Sequence, residues 1–221
     1  MKKTSLIVGA VIGLSTASVF AQGYVTCNLT SATPVSTNNV TVNDPALGAS
    51  ASGLVSKGAA NSFYYELLVQ PYSGSFASTS LVGVANLNGW LDSGLGHANS
   101  TTFNGYASLG TDVLVPSNWA VGSDDQFILV GWSASLGTTW STVSSEVSNN
   151  NFSAHGFFGV SSVGHAVAAA ASPATPPNLF AAAGVVTSGF SLNPVVTPEP
   201  STIALAGMGI ASLVALRRRN K

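Results

Sequence analysis

Short apolar stretches alternate with clusters of Gly, Asn, Asp and Ser through the middle of the chain, residues 22–192. In the clearest stretch, residues 63–70, every second residue from Phe63 to Val69 is large and apolar. This period of two, with one strongly apolar face, predicts a β-strand. Pro71 follows directly and ends the pattern, because proline cannot donate to a sheet ladder.

Other stretches of the same kind predict further strands. Residues 127–132 form an unbroken apolar run, which is typical of a strand buried on both faces. Residues 113–115 are short and are stopped by Pro116. Turn-forming residues lie between these stretches, as between the strands of β-sandwiches. The remaining predicted strands cover residues 23–29, 80–87, 157–160 and 185–192.

One segment has helical rather than β periodicity. Trp140, Val143 and Val147 are spaced i, i+3 and i+7 and predict a short helix over residues 139–149. Its Ser and Thr content makes it weak alone, so it must pack against the sheet. Residues 166–183 are rich in Ala and Pro and are expected to be irregular. The fold class expected for residues 22–192 is therefore all-β, an antiparallel β-sandwich or jelly-roll-like domain with one short helix.

The N-terminal segment, residues 1–21, has the pattern of a secretory signal peptide. Lys2 and Lys3 precede an uncharged, largely apolar segment that ends at Phe20. Small residues before the expected cleavage point place signal-peptidase cleavage after Ala21. The residue that follows is Gln22 rather than Cys, which argues against a lipoprotein anchor.

The C-terminal segment has three parts that follow a linker, residues 193–200. The linker ends in Pro198-Glu199-Pro200, sixteen uncharged residues follow at 201–216, and Arg217, Arg218 and Arg219 open a basic end at 217–221. A helix of that length spans about 24 Å, slightly less than a bilayer core of about 30 Å. We expect a short transmembrane helix, with the basic end in the cytoplasm.

These three parts together resemble the PEP-CTERM protein-sorting signal over about residues 197–221. The resemblance implies recognition by an exosortase-type membrane protease and cleavage near Pro198-Glu199-Pro200. It also implies transient insertion in the inner membrane and delivery to the cell surface or extracellular matrix, often in bacteria that make exopolysaccharide. Similar tails occur on proteins of unrelated function, so the resemblance assigns no activity to residues 22–192.

The charge of the exported body differs from that of the whole chain. Between residues 22 and 192, Lys57 is the only basic residue against seven acidic ones, a formal net charge of −6. Phosphate binding needs lysine and arginine, so this composition excludes nucleic acid as a partner. Cys27 is the only cysteine, so no internal disulfide can form, and we expect it to be a small buried hydrophobe in the first strand.

The sequence gives no catalytic signature. The segment 131–135 approaches a Gly-x-Ser-x-Gly nucleophile elbow and fails at the last position. Asp124-Asp125 is expected to form a turn before the strand at 127–132, with Ca²⁺ binding as an alternative. The three histidines, each beside a glycine, are expected in loops or at strand ends, and no cofactor or metal site is predicted.

Two tryptophans, Trp90 and Trp119, lie beside turn residues and are candidates for exposed glycan contacts. The hypothesis favoured by the sequence is a non-enzymatic structural or adhesive protein of the cell surface or exopolysaccharide layer. A carbohydrate-binding module that uses exposed aromatics and a secreted hydrolase of unrecognised type remain as alternatives.

Overall fold

The computed structural model describes residues 22–38, 52–55, 61–77, 87, 89–171 and 174–195, together with Met208, Ile210 and Arg217. The signal peptide, most of the predicted strand at 80–87 and most of the C-terminal segment lie outside the described residues. Ten strands, a 3₁₀ turn at Ala134–Leu136 and one helix, α1, are present among the described residues from 22 to 195. The elements are β1 Tyr24–Asn28, β2 Val35–Thr37, β3 Gly53–Leu54, β4 Phe63–Pro71, β5 Leu91–Ala98, β6 Ser108–Leu114, β7 Asp124–Ser133, α1 Trp140–Asn149, β8 Gly156–Val160, β9 Gly164–Val167 and β10 Phe190–Val195.

Most strands belong to one sheet with the order β3-β2-β10-β8-β7-β4-β5, and β9 pairs with β7 beside β8. Strands β4 and β7 are neighbours in this sheet, and every residue of β4 pairs with a residue of β7. A second, two-stranded sheet is made by β1 and β6. All pairings are antiparallel except that of β10 with β2, which is parallel and departs from the fully antiparallel expectation.

One face of the large sheet packs against β1 and β6. Val25 and Cys27 of β1 meet Leu67 of β4 and Leu129 of β7 in this core, and all four are fully buried. Because neighbouring side chains of a strand point to opposite faces, the residues between them on β4 and β7 cover the other face. Burial of Cys27 in the first strand confirms its predicted place.

Helix α1 covers the opposite face of the large sheet. Trp140, Val143 and Val147 are buried there against Val130 and Trp132 of β7. The predicted helix and its packing are therefore confirmed. Only residues 134–139 separate the end of β7 from the start of α1, so the first turn of α1 lies at the same end of the sheet as Trp132.

Several sequence predictions are confirmed and others need correction. Strands β1, β4, β7 and β8 match their predicted segments, and β6 extends the prediction at 113–115 toward the N-terminus. The segment predicted at 185–192 becomes a strand only from Phe190. The irregular stretch expected from residue 166 begins later, because β9 runs to Val167. Strand β5 was missed, because its two glycines and polar residues do not give an apolar alternation.

No helix in the described part of the chain is long and apolar enough to cross a membrane. Met208 and Ile210, within the predicted transmembrane segment, are helical and exposed, but the rest of residues 201–216 lies outside the description. The domain described is thus mostly β with one short helix, as predicted.

Candidate functional site: a carboxyl and aromatic cleft

An open cleft of about 440 Å³ lies on the face of the large sheet that carries α1. Its floor comes from β4 and β5, and its wall comes from the end of β7 and the first turn of α1. The side chains that decide its chemistry are Tyr64, Glu66, Asp92, His97, Trp132 and Trp140.

Strand register explains why two carboxyl groups meet here. Glu66 lies opposite Gly96 of β5, whereas Leu68, two residues on, lies opposite Asp92. The register shift between these two pairs is a bulge that contains Gly94, whose φ of +72° favours glycine. Gly94 N–H donates to Asp92 Oδ1 at 2.7 Å, which fixes the second carboxyl on the bulge.

Gly96 provides the room that the first carboxyl occupies. A Cβ added at Gly96 would overlap Glu66 Oε2 and lie 3.1 Å from the Tyr65 carbonyl oxygen. The backbone φ of Gly96 is not in the left-handed region, so its role is space rather than conformation. Any larger residue at Gly96 would therefore push the Glu66 carboxyl out of its position.

The two carboxyl groups are electrostatically coupled. Burial, together with the nearby charge of Asp92, raises the pKa of Glu66 to about 8. The Glu66 carboxyl therefore keeps its proton at neutral pH. Glu66 Oε1 is buried and has no hydrogen-bond partner among the described residues.

Three aromatic rings form a continuous wall beside the carboxyl pair. The ring centroids of Tyr64 and Trp132 are 6.2 Å apart at an interplanar angle of 25°. Trp132 and Trp140 follow at 5.7 Å and 45°. Trp132 is held by its Nε1–H, which donates to the Gly137 carbonyl at 2.9 Å. The wall is thus preformed, with Tyr64 as its half-buried outer member.

Hydroxyl groups complete the rim at the start of α1. Thr138, Thr139 and Ser141 line the cleft, and Thr139 Oγ1 lies 3.0 Å from Thr142 Oγ1. The first turn of a helix also presents backbone N–H groups without helical partners. The cleft therefore offers donors on one side and carboxyl acceptors on the other.

The predicted exposure of the two candidate glycan-binding tryptophans is wrong. Trp90 is 9% exposed and Trp119 is 1% exposed, each within a hydrophobic core. Trp119 stacks on Phe127, and its Nε1–H donates to the Ser123 carbonyl at 3.3 Å. The turn residues beside them do not expose the rings, because the chain folds the large apolar side chains inward.

The other sequence candidates lie apart from the cleft, except one histidine. His97 is on β5 at the cleft, and its Nδ1 lies 2.9 Å from the Ala98 carbonyl oxygen. His165 Nδ1 lies 3.0 Å from Asp124 Oδ1, at the start of β7. Asp124 and Asp125 were predicted to form the turn before this strand, and that prediction is wrong: the turn lies at residues 121–122, and both aspartates pair with β9 as the first residues of β7. Within the described ranges, no three His, Cys, Asp or Glu residues form a group that could hold a metal ion.

Ser133, in the near-elbow segment, is not poised as a nucleophile. It is buried, its Oγ accepts the Phe157 N–H at 2.9 Å, and it lies 2.9 Å from Ser135 Oγ. Sequence reasoning missed Glu66 and Asp92 as a pair. The one available signal was a glutamate in an otherwise apolar strand, since glutamate is rarely buried unless it is paired.

Comparisons with known proteins bear on the C-terminal segment. The model of the PEP-CTERM protein-sorting motif matches residues 196–219. Neither curated proteins nor solved structures give a match to the chain. The resemblance read from Pro198-Glu199-Pro200 and the arginine cluster is therefore confirmed. The chain carries a PEP-CTERM sorting motif, the mark of an exported protein that an exosortase-type system sorts to the cell surface.

Proposed function

We propose that the exported domain is a non-enzymatic, adhesive component of the cell surface or extracellular matrix that binds polysaccharide in this cleft. The observation that carries the proposal is the junction of an aromatic wall and a carboxyl pair in one open cleft. The sorting motif supports the location, because it directs export to the surface where such a polymer is found.

The chemistry of sugars suits the two sides of the cleft. A pyranose ring has apolar C–H faces that pack on aromatic rings such as that of Tyr64, the half-buried outer member of the wall. Its hydroxyl groups donate to carboxyl oxygens, and such hydrogen bonds are strong when the acceptor is charged. Asp92 is exposed on β5 and lines the cleft, so its carboxyl group is an acceptor that a sugar hydroxyl can reach.

The shape and charge of the domain narrow the ligand class. The cleft is open rather than enclosed, which admits an internal segment of a polymer. Residues 22–192 carry a formal net charge of −6, which repels polyanionic glycans and nucleic acid. A neutral or cationic polysaccharide therefore fits best.

The test uses protein recovered from outside the cell and affinity electrophoresis in gels that contain the exopolysaccharide of the producing cells. We expect the wild type to be retarded and Tyr64→Ala to lose at least tenfold in affinity. Phe103→Ala is the matched control, because Phe103 is an exposed ring that does not line the cleft. Circular dichroism of each variant checks that folding is intact.

Two outcomes would count against the proposal. If the wild type is not retarded by the exopolysaccharide, the protein does not bind that polymer. If Tyr64→Ala and Phe103→Ala lose affinity equally, the cleft is not the binding site. Release of new reducing ends during incubation would instead identify a hydrolase.

A further inference from the structure

We infer that the domain binds its polysaccharide at a second place, an aromatic shelf made of Tyr72, Phe76 and His165. This inference rests on the proposed polysaccharide binding, but none of the three residues lines the cleft. The juxtaposition behind it is a set of three neighbouring rings with the accessible carboxyl group of Asp124 at their edge. Aromatic rings beside a few placed polar groups are typical of sites for small polar ligands with an apolar face, such as sugar units.

The rings of the shelf contact one another and remain open to solvent. The centroids of Tyr72 and His165 are 4.1 Å apart at an interplanar angle of 12°, so these two rings are stacked. Phe76 tilts against both, at 5.6 Å from Tyr72 and 5.7 Å from His165. Phe76 is 54% exposed, although a large apolar side chain usually lies inside a protein. Its exposed surface can therefore pack against a ligand.

The loop that carries two of the rings is fixed at both ends. At its start, the Tyr72 N–H donates to the carbonyl oxygen of Asp124 at 3.2 Å. At its end, the Ala77 N–H donates at 2.8 Å to Oε1 of Gln126, a buried side chain of β7. A ligand therefore meets rings that already lie in place, which reduces the entropy lost on binding.

Asp124 and His165 supply the polar edge of the shelf. His165 Nδ1 lies 3.0 Å from Asp124 Oδ1, and each of the two side chains is 40% exposed. The two oxygens of a carboxylate offer about four acceptor positions, and the contact with His165 uses one of them. Sugar hydroxyl groups can donate to the others while the C–H face of the sugar packs on Phe76.

The shelf and the cleft lie on the same face of the large sheet. Asp124 and Trp132 both belong to β7 and are eight residues apart, and side chains at even spacing along a strand share a face. A strand rises about 3.3 Å per residue, so the two sites are about 26 Å apart. A polymer longer than this can reach both sites, and the second contact is then intramolecular and raises the overall affinity.

The size of the shelf favours a sugar over a protein partner. A specific protein interface buries about 800 Å² on each side. Three rings, of which only Phe76 is mostly exposed, provide a small part of that area. The formal net charge of −6 over residues 22–192 disfavours polyanionic glycans here as it does in the cleft. The ligand class is therefore the same neutral or cationic polysaccharide.

The three histidines of the chain are natural reporters for the test. His165 belongs to the shelf, His97 lines the cleft, and His155 precedes β8 and belongs to neither site. The exported protein is titrated with fragments of the producing cells' exopolysaccharide, two or three sugar units long and too short to join the sites. Proton NMR follows the imidazole C–H signals, assigned by replacing each histidine in turn with glutamine. We expect saturable shifts for His165 and His97 and none for His155.

Affinity electrophoresis with the intact exopolysaccharide gives a second readout. Phe76→Ala should lose at least fivefold in affinity, because the exposed ring is removed. Phe76→Tyr keeps the ring and should bind as the wild type does. The matched control is Phe103→Ala, which removes a similarly exposed ring outside the shelf and should also bind as the wild type does. Circular dichroism checks that each variant is folded.

The outcomes separate this inference from the proposed function. If only the His97 signals shift and Phe76→Ala keeps full affinity, the shelf inference is overturned and binding in the cleft stands. If only the His165 signals shift, the shelf inference is supported and the cleft is not the site. If no histidine signal shifts and the intact polymer does not retard the protein, both are overturned.

One further outcome would assign the shelf to a protein contact. Sedimentation velocity at increasing concentration measures self-association of the wild type and of Phe76→Ala. If the wild type associates and Phe76→Ala does not, while the His165 signals do not respond to the fragments, the shelf joins two copies of this chain and the inference is overturned.

Discussion

The carboxyl of Glu66 should make the stability of the domain depend on pH. Its pKa is raised from an ordinary 4.5 to about 8, chiefly by burial and then by Asp92. The folded state therefore binds a proton more tightly than the unfolded chain does. Stability is fully retained below the unfolded pKa and is lost as pH rises from about 4.5 through about 8. Glu66→Gln keeps the shape of the side chain and removes its titration.

The size of the effect follows from the pKa change. One pKa unit corresponds to about 1.36 kcal/mol, so the change from 4.5 to about 8 sets an upper limit of about 5 kcal/mol. Glu66 is half-buried, and solvent screening lowers the effective value. We expect Glu66→Gln to gain about 2–3 kcal/mol relative to wild type between pH 5 and pH 9.

Urea unfolding at a series of pH values, followed by tryptophan fluorescence, measures this difference. Wild type and Glu66→Gln should have similar unfolding free energies at pH 5 and should diverge as pH rises. Asp112→Asn, a charge-matched substitution on β6, should parallel the wild type throughout. A constant difference between wild type and Glu66→Gln from pH 5 to pH 9 would refute the reasoning, because it would mean that Glu66 titrates alike in both states.

Three further predictions concern other parts of the chain. Gly159→Ala should lower the free energy of unfolding, measured in urea, by about 3 kcal/mol, because its Cβ would overlap the backbone oxygen of Ser191 and lie 3.0 Å from Leu192 Cα. The control Gly122→Ala, at an open position with φ of +77°, should lower it by about 1 kcal/mol. Equal losses in the two variants would contradict the close packing of β8 on β10. Cys27 is fully buried and its pKa is raised by burial, so a thiol reagent should label it only after unfolding; rapid labelling of the native protein would be inconsistent with that burial. Changing Arg217, Arg218 and Arg219 together to Ala should leave the full-length chain in the inner-membrane fraction, as judged by intact mass, whereas normal release would count heavily against the sorting mechanism.

Local sequence patterns were sufficient to predict the strands and the helix whose apolar residues recur at regular spacing. Strands β4 and β7 could be predicted because one face of β4 is apolar at every second residue and residues 127–132 of β7 form an apolar run, and both patterns follow from burial within the sheet. Helix α1 could be predicted from three apolar residues at helical spacing. Strand β5 could not, because its pairing with β4 tolerates glycines and a bulge that local propensity disfavours.

The candidate site could not be predicted from local sequence patterns, because its residues are distant in the sequence. Glu66 and Asp92 are separated by 26 positions and meet only through the register of β4 and β5. The aromatic wall likewise joins Tyr64 of β4 to Trp132 and Trp140 from β7 and α1. Trp90 and Trp119 were misjudged because neighbouring turn residues indicate where the backbone turns and not where a side chain points.

The amino-acid sequence was sufficient to predict three properties of this protein: its sorting signal, the acidic character of residues 22–192 and its main strands. Each of these is a local property, since the sorting motif is a contiguous segment, charge is a count, and strand patterns repeat every second residue. Only the folded chain brings the carboxyl groups of Glu66 and Asp92 into one cleft and places aromatic rings beside them. Those relations depend on register, on the bulge at Gly94 and on the space left at Gly96, and strand pairing fixes all three across distant parts of the chain.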